Sequence, residues 1–246
     1  VVSAYDGKQW RQMAVSQPIG HVAYRTTDGQ DVESDILPTK CEILDSGGPL
    51  AQVRFKAQKV DKDGVWWNFV YTFELGTGQV TVRTHYQVWA NKDRQLLYFQ
   101  GPDLYAGEGS FGSRKRLALF PGLEYLEAHE SSSSDRDTAL PYANRYAPHP
   151  YKITIPFMAV EAEDALVGVM WDALQKWDGE HYVPSARFAS PNFKDQQDNH
   201  LMGLFLPSIS EYVPENGDRA DKPYTLKANK KIALKAHIVA KAGGEV

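Results

Sequence analysis

A group of acidic residues behind a Pro-Gly turn could carry acid–base or metal chemistry. Glu124, Glu127 and Glu130 belong to it, and four consecutive serines separate them from Asp135 and Asp137. Carboxylates bind hard cations, and a carboxylate pair can act as acid and base on a glycosidic bond. We therefore expect calcium as a candidate cofactor, held by Glu124, Asp135 and Asp137. Glu127 and Glu130 are catalytic candidates, and a merely solvated loop is the alternative.

A second polar segment, residues 190–200, ends directly before an apolar run. It carries Asn192, Asp198, Asn199 and His200. Amides and carboxylates offer the paired donors and acceptors that sugar hydroxyls need, and His adds a proton carrier that titrates near neutral pH. The segment predicts a sugar-binding loop in which His200 is also a catalytic candidate. A turn that only satisfies its own backbone is the alternative.

Aromatic residues are frequent, with 6 Trp and 13 Tyr in the chain. Aromatic faces stack on the apolar faces of sugar rings and bury area at a small entropic cost. Trp171 and Trp177 stand at either end of a short polar stretch. We predict that they form one sugar site with the 190–200 segment, and packing in the core is the alternative.

Several other function classes are disfavoured. The glycine-rich segment 101–112 lacks the Gly-Lys-Ser/Thr ending of a phosphate-binding loop, so we interpret it as a structural loop. The net charge of −4 offers no general basic surface, which argues against a nucleic-acid partner. The apolar runs are far shorter than the ~20 residues of a membrane helix, so no membrane association is expected.

The elements that must position these residues follow from a period-two alternation of apolar and polar residues. Trp67, Phe69, Tyr71 and Phe73 share one face, and the alternation resumes after Gly76-Thr-Gly78, which predicts a β-hairpin. Residues 201–206 are apolar on both faces, as in a strand buried between two layers.

The same alternation recurs near the end of the chain, at residues 232–240, whereas helical periodicity is weak throughout. Pro156 interrupts one alternating run and predicts an edge, a bulge or a break there. We therefore predict an all-β fold: one large antiparallel two-sheet β-sandwich of the super-sandwich type, with long polar loops, spanning residues 1–246 as a single domain.

Three features resemble the galactose-mutarotase-like super-β-sandwich domains of carbohydrate-active enzymes. They are the aromatic hairpin from Trp67 to Val88, the segment from Phe120 to Glu127, and the late Asn199-His200 step with Phe205. That step is similar to the Asn-His step of aldose mutarotases, where the His contributes to the sugar site. In mutarotases it comes early in the chain, and no residue here matches their catalytic Glu, so catalysis is not carried over.

In glycoside hydrolases and polysaccharide lyases, such a sandwich often serves as an accessory or carbohydrate-binding domain. The resemblance implies a non-catalytic module that binds a poly- or oligosaccharide, is covalently linked to other domains of a larger protein, and is extracellular or periplasmic. A stand-alone lyase, epimerase or hydrolase that uses Glu127 or Glu130 with His200 is the second hypothesis. A structural spacer between domains is the third, because fold alone does not decide function.

Overall fold

The computed structural model describes residues 1–132, 147–208, 219–220 and 222–243. Within them lie seventeen β-strands and one 3-10 helix, Pro150–Lys152. In chain order the strands are β1 (Val2–Tyr5), β2 (Trp10–Ser16), β3 (His21–Arg25), β4 (Asp31–Asp35), β5 (Lys40–Asp45), β6 (Leu50–Val60), β7 (Trp66–Gly76), β8 (Thr81–Ala90), β9 (Arg94–Ala106), β10 (Leu117–Phe120), β11 (Glu124–Glu127), β12 (Phe157–Ala162), β13 (Ala165–Trp171), β14 (Ser185–Ala189), β15 (His200–Leu206), β16 (Tyr224–Leu226) and β17 (Ile232–Ala242).

The strands form two antiparallel sheets, which confirms the predicted all-β sandwich. The nine-stranded sheet has the order β11-β10-β12-β13-β17-β8-β7-β6-β5. The eight-stranded sheet follows β1-β2-β9-β15-β14, with β3 and β16 also pairing with β9, and β4 pairing with β3. In the described part of the chain, no helix is long and apolar enough to cross a membrane.

The aromatic strand β7 shows how alternation builds the core. Its inward side chains Trp67, Phe69 and Tyr71 are at most 1% exposed, whereas Trp66, on the opposite face, is 48% exposed. They pack between the sheets against residues of the facing sheet, such as Phe99, whose ring centroid lies 6.3 Å from that of Phe69. The hairpin predicted from this segment is confirmed, since β7 and β8 pair from Trp67–Ala90 to Leu75–Val82.

Strand β9 is the central element of the eight-stranded sheet and corrects one prediction. The first six residues of the glycine-rich segment, 101–106, belong to this strand, so the segment becomes a loop only at Gly107. The pairing of β9 with β15 shifts register between Gly203 and Phe205. This irregularity opposite Gly101 and Pro102 explains how a proline sits in a central strand, because a bulge removes the need for its missing N–H.

Pro156 also acts as its chemistry predicts. The strand β12 begins only at Phe157, directly after the proline, so the alternating run is broken there. Strand β15 is buried along its whole length, as expected for a strand covered on both faces. One face of β15 packs against the nine-stranded sheet. Its other face is also buried and lies beside polar residues of its own sheet.

Candidate functional site

A polar cleft lies on the face of the eight-stranded sheet that is turned away from the nine-stranded sheet. We call this the outer cleft. Its volume is about 220 Å³, and its lining includes His21, Tyr98, Gln100, Tyr105, Arg187 and Asp195. Strands β3, β9 and β14 supply all of these except Asp195, which comes from the loop between β14 and β15.

The floor of the outer cleft holds a buried ion pair that spans three strands. Arg187 lies opposite Gly203 in the β14–β15 pairing, and Gly203 lies opposite Asp103 in the β15–β9 pairing. The Arg187 guanidinium donates to the Asp103 carboxylate across Gly203. A Cβ at Gly203 would come within 2.5 Å of Asp103 Oδ1, so the missing side chain lets the pair form.

This ion pair is not fully satisfied by the described residues. Asp103 is 0% exposed and Arg187 is 9% exposed. Asp103 Oδ1 and Arg187 Nε are buried without a hydrogen-bond partner in the described structure. Burying charged groups costs free energy unless their hydrogen-bonding capacity is used. Both atoms are shielded from solvent, so the polar groups that a ligand can reach are those of the cleft lining.

An aromatic wall stands beside the pair. The ring of Tyr98 lies 5.6 Å from the Arg187 guanidinium carbon and 5.2 Å from the Phe205 ring. His21 meets the same tyrosine edge-on at 5.5 Å. The Tyr98 and Phe205 rings belong to a small apolar cluster that is separate from the core between the sheets. The cluster also includes Ala23, Leu97 and Ala147. Tyr98 is 4% exposed and Phe205 is fully buried, so this wall supports the charged groups of the outer cleft from behind and presents little apolar surface.

The rim of the outer cleft is a hydrogen-bonded chain of polar side chains. The Tyr105 hydroxyl donates to Asp195 Oδ2 at 3.0 Å, and Gln17 donates to the same hydroxyl oxygen. Burial and the neighbouring Asp195 carboxylate raise the pKa of Tyr105, so it stays a neutral donor. Gln100 Nε2 donates to the carbonyl of Pro18 at 2.9 Å, which fixes the direction of its amide.

One imidazole in the outer cleft is held by carboxylates. His21 and Asp35 face each other in the β3–β4 pairing, and His21 Nδ1 lies 2.7 Å from Asp35 Oδ1. The other ring nitrogen, Nε2, lies 3.9 Å from Glu33 Oε2. Glu33 in turn accepts from Arg219 at 3.3 Å. A carboxylate-oriented imidazole of this kind can carry a proton to or from a bound molecule.

The predicted sugar-binding loop, residues 190–200, borders the outer cleft. The residues predicted to bind the sugar, however, do not line this cleft. Asn192 and Asn199 are buried, and Asn192 Nδ2 donates to Asn199 Oδ1 at 2.8 Å. Asn199 Nδ2 donates to Glu108 Oε2 at 2.9 Å. Asn192 Nδ2 also lies 3.2 Å from Asp195 Oδ2. The two asparagines therefore brace the loop, and Asp195 is the member that lines the outer cleft.

His200 is fully buried at the start of β15. Its Nδ1 lies 2.9 Å from Ser190 Oγ, and its ring packs 6.1 Å from that of Phe111. Burial, with the nearby positive charge of Lys115, lowers its pKa to about 4, so His200 is neutral at pH 7. Among the described residues, Glu127 and Glu130 are not hydrogen-bonded to it. Its catalytic role stays a prediction.

Asp198, in contrast, is exposed. It accepts from the backbone N–H of Ser113 at 2.9 Å and from the Ser113 hydroxyl, and these two hydrogen bonds lower its pKa. It therefore ties the 190–200 loop to the loop that follows β9. Its ligand-binding role stays a prediction.

Both predicted tryptophans are buried, as the core alternative expects. Trp171 is 5% exposed at the end of β13 in the nine-stranded sheet, and Trp177 is 3% exposed. The Trp177 ring stacks on His181 at 5.3 Å and meets Tyr224 edge-on at 5.0 Å, beside a groove of about 510 Å³. No contact in the described structure joins either indole to Asn192, so a shared site with the loop stays a prediction.

The acidic segment behind the Pro-Gly turn is mostly occupied by local hydrogen bonds. Glu124 Oε2 accepts from Ser132 Oγ at 2.7 Å, and Glu130 Oε2 accepts from the backbone N–H of Glu127 at 2.9 Å. Asp135 and Asp137 lie outside the described residues. Within the described ranges, no group of three or more His, Cys, Asp or Glu side chains is arranged to hold a metal ion.

The residues of the outer cleft were largely missed from the sequence. Arg187 interrupts an otherwise apolar strand, and Gly203 sits inside the apolar run of β15. A charge in a buried strand and a glycine in a strand interior both signal a close approach of other groups. Neither signal names the partner, because β9 and β14 are far apart in the chain.

Comparison with known proteins yields similarity at the level of structure alone. No protein-family model and no curated protein matches the sequence. Among solved structures, the chain is similar to the GH36 α-galactosidase AgaA from Geobacillus stearothermophilus, with a TM-score of 0.53 and 10% identity over 91% of this chain and 30% of that chain. A variant of that enzyme in complex with raffinose gives the same values.

A galactose mutarotase related enzyme from Lactobacillus acidophilus matches with a TM-score of 0.45 and 11% identity, covering 95% of this chain and 84% of that chain. The chain spans only 30% of the length of the α-galactosidase. At 10% identity, the match to the α-galactosidase shows a shared fold. It confirms the predicted fold, a large two-sheet β-sandwich, which also occurs within a glycoside hydrolase.

Proposed function

We propose that this protein is a carbohydrate-binding β-sandwich module and that a mono- or oligosaccharide binds in the outer cleft. The observation that carries the proposal is the polar lining of the outer cleft, where the side chains of His21, Tyr105, Arg187 and Asp195 border one space. A sugar presents adjacent hydroxyls that both donate and accept, and such a ligand matches the neighbouring donors and acceptors of this lining.

The remaining walls of the outer cleft suit the same ligand. Tyr98 supports the lining from behind, because its ring is 4% exposed and packs under the Arg187 guanidinium. Asp195 and Gln100 lie at the rim with side chains already oriented by hydrogen bonds, so little conformational entropy is lost on binding. Neutral hydroxyls, rather than a full charge, are the best complement to a floor that is itself a neutral ion pair.

The fold comparison supports the class of ligand and the modular organisation. The chain is similar to an enzyme that is named an α-galactosidase, and a variant of that enzyme is in complex with raffinose. The match covers a domain-sized part of that enzyme. We propose accordingly that the sandwich is linked to other domains of a glycoside hydrolase or polysaccharide lyase and acts outside the cytoplasm.

The proposal is tested by a glycan-array screen followed by titration calorimetry on the best ligand. Asp195→Asn keeps the shape of the rim but removes a charged acceptor, and we expect the affinity to fall by about tenfold or more. Asp172→Asn, in an exposed turn of the nine-stranded sheet, is the matched control and should bind normally. A folded protein that binds no glycan, or an Asp195→Asn variant with unchanged affinity, contradicts the proposal.

A catalytic role is the second candidate, and His21 is the observation that favours it. Its imidazole is oriented by Asp35 and approaches Glu33 at the edge of the outer cleft. Reducing-sugar release, unsaturated product and anomer interconversion should be measured on every glycan that binds. In an enzyme, His21→Gln should lower the rate by about 10²-fold or more. His200→Ala, Glu127→Gln and Glu130→Gln test the residues named from the sequence, and binding without turnover supports the module.

A further inference from the structure

A second cleft, lined by none of the residues of the outer cleft, carries an excess of positive charge. We call it the basic cleft. Its volume is about 760 Å³, and its lining includes Trp10, Arg11, Arg114, Lys115, Arg116 and Asp164. It lies between β2, the loop that precedes β10 and the turn between β12 and β13.

Two of the four cations in the basic cleft are already neutralised by carboxylates. Arg11 Nη2 lies 3.2 Å from Asp164 Oδ1, and its Nη1 donates to the other carboxylate oxygen. Arg116 Nε lies 2.8 Å from Glu161 Oε1. These pairs fix the two outer walls and contribute little net charge.

The other two cations, Arg114 and Lys115, are adjacent in the chain and form no ion pair within the described residues. Arg114 is exposed, and its Nε donates to the backbone carbonyl of Phe111 at 3.2 Å. This bond orients the guanidinium, which is attracted electrostatically to the Asp198 carboxylate without forming an ion pair. The lining of the basic cleft holds four cationic side chains and two carboxylates, Glu163 and Asp164, so it has an excess of positive charge although the whole chain is at −4.

Lys115 is the more informative of the two because it is only 9% exposed. Its ammonium makes no hydrogen bond to a described residue. Burial lowers the pKa of Lys115, and electrostatic attraction to Glu124 and Glu130 acts in the opposite direction. A cation on a residue that is nine-tenths buried is costly when no hydrogen bond satisfies it, and an anion in the basic cleft would supply the missing partner.

An aromatic surface stands at the rim of the same cleft. Trp10 is 70% exposed, and its ring packs on that of Tyr5, which is 54% exposed, with 5.7 Å between centroids. A large, exposed indole beside unpaired cations is suited to a ligand that has both a flat apolar face and an anionic group.

We infer that the basic cleft binds an acidic saccharide, with its carboxylate or sulfate ester at Lys115 and Arg114 and its ring against Trp10. The inference shares only the ligand class, carbohydrate, with the proposed function and uses a different site. A carboxylate and a sulfate have the same anionic oxygen chemistry here. A nucleic acid fits less well, because Glu163 and Asp164 border the basic cleft and would repel a continuous phosphate backbone.

The test is titration calorimetry on the whole chain with matched charged and neutral probes. Trigalacturonate is compared with its methyl ester, and a sulfated galactan oligosaccharide is compared with its desulfated form. A single-stranded oligonucleotide is the third probe. We expect at least one acidic saccharide to bind about tenfold more tightly than its neutral form, because each charge-assisted hydrogen bond is roughly twice as strong as a neutral one.

Substitutions then locate the binding. Lys115→Met and Arg114→Gln should each weaken acidic-saccharide binding by about tenfold, and Trp10→Ala should weaken it by a similar factor. Arg83→Gln removes one positive charge from a distant exposed strand and is the control for net charge. Asp195→Asn, in the outer cleft, should leave this binding unchanged, so failure of the proposed function and failure of this inference are distinguishable.

Several results would overturn the inference. They are equal affinity for the charged and neutral probes, wild-type affinity in both Lys115→Met and Arg114→Gln, or tighter binding of the oligonucleotide than of any acidic saccharide. If Lys115→Met does not fold, Arg114→Gln decides alone, because Arg114 is exposed and contributes little to packing.

Discussion

The two sheets present opposite kinds of outer face. The outer face of the nine-stranded sheet is solvated, and its ion pairs are exposed: Arg83 contacts Glu74 at 3.0 Å, and the Arg83 side chain is 59% exposed. The outer face of the eight-stranded sheet carries the outer cleft, and its pair of Arg187 and Asp103 is buried. A guanidinium–carboxylate pair is therefore exposed to water on one face and buried on the other, so its contribution to stability differs between the faces.

The difference teaches where function concentrates in this molecule. A solvated pair gains little from folding because water screens it and already satisfies its atoms. A buried pair has lost its water and is stable only if the surrounding structure compensates it. The buried pair lies beneath the outer cleft, so the face with the candidate site is also the face where a lost charge partner should cost most.

The largest expected effect comes from breaking the buried pair. Arg187→Met leaves the Asp103 carboxylate buried without its partner, and we expect the free energy of unfolding to fall by about 3–5 kcal/mol. Urea denaturation measures the loss. The double variant Arg187→Met with Asp103→Leu should recover most of it, since no charge remains buried. An unchanged midpoint for Arg187→Met would show that the pair is solvated like those of the other sheet.

A comparable loss of stability is expected when a buried apolar side chain is truncated. Phe69→Ala removes a ring that is 1% exposed between the sheets, and the lost contacts and the cavity should cost about 3–5 kcal/mol. The matched control Trp66→Ala, on the solvated face of the same strand, should change the stability by less than about 0.5 kcal/mol. Equal losses for the two variants would contradict the assignment of the two faces of β7.

A buried carboxylate that accepts hydrogen bonds from backbone N–H groups should make a contribution to stability that depends on pH. Burial raises the pKa of Asp178, but the backbone N–H groups of His181 and Glu180 and the His181 ring donate to it and hold its pKa at about 2. Its contribution to stability is therefore complete above the unfolded value of about 4 and is lost as the pH falls through about 2.

The size of this contribution is on the order of 2 kcal/mol. It is measured as the difference in unfolding free energy between wild type and Asp178→Asn, followed by denaturant titration from pH 6 downward. We expect that difference to shrink between about pH 4 and pH 2. A difference that stays constant over this window would mean that the carboxyl has an ordinary pKa.

The smallest effect is expected on the solvated face. Arg83→Met removes one partner of the exposed pair with Glu74, and the stability should fall by only about 0.2–1 kcal/mol, with less effect at high salt. The variant is chemically matched to Arg187→Met, so the two measurements together test the comparison of the faces. Similar losses at both positions would remove the distinction.

The fold was predictable from the sequence because alternation is a local signal. The inward set of β7, the buried strand β15 and the break at Pro156 each follow from the chemistry of neighbouring residues, and the structure confirms them. The candidate site was predictable only in part. The 190–200 loop does border the outer cleft, but Asp195, rather than Asn192 or Asn199, lines it.

The sequence by itself determined that apolar and polar residues alternate and that the long strands bury one face. This follows because the side chains of a strand point to alternate sides of the backbone. The sequence could not determine which strands become neighbours. The tertiary structure placed Asp103, Gly203 and Arg187 side by side across three strands from distant parts of the chain.

The register irregularity in β9 also required the three-dimensional structure. Strict alternation puts Gln100 and Asp103 on opposite faces of the sheet, whereas the shift at Gly101-Pro102 brings both to the outer face. A bulge changes the facing of every residue beyond it, and its position depends on the partner strand. The pattern of one strand therefore sets the fold, and the pairing of several strands creates the site.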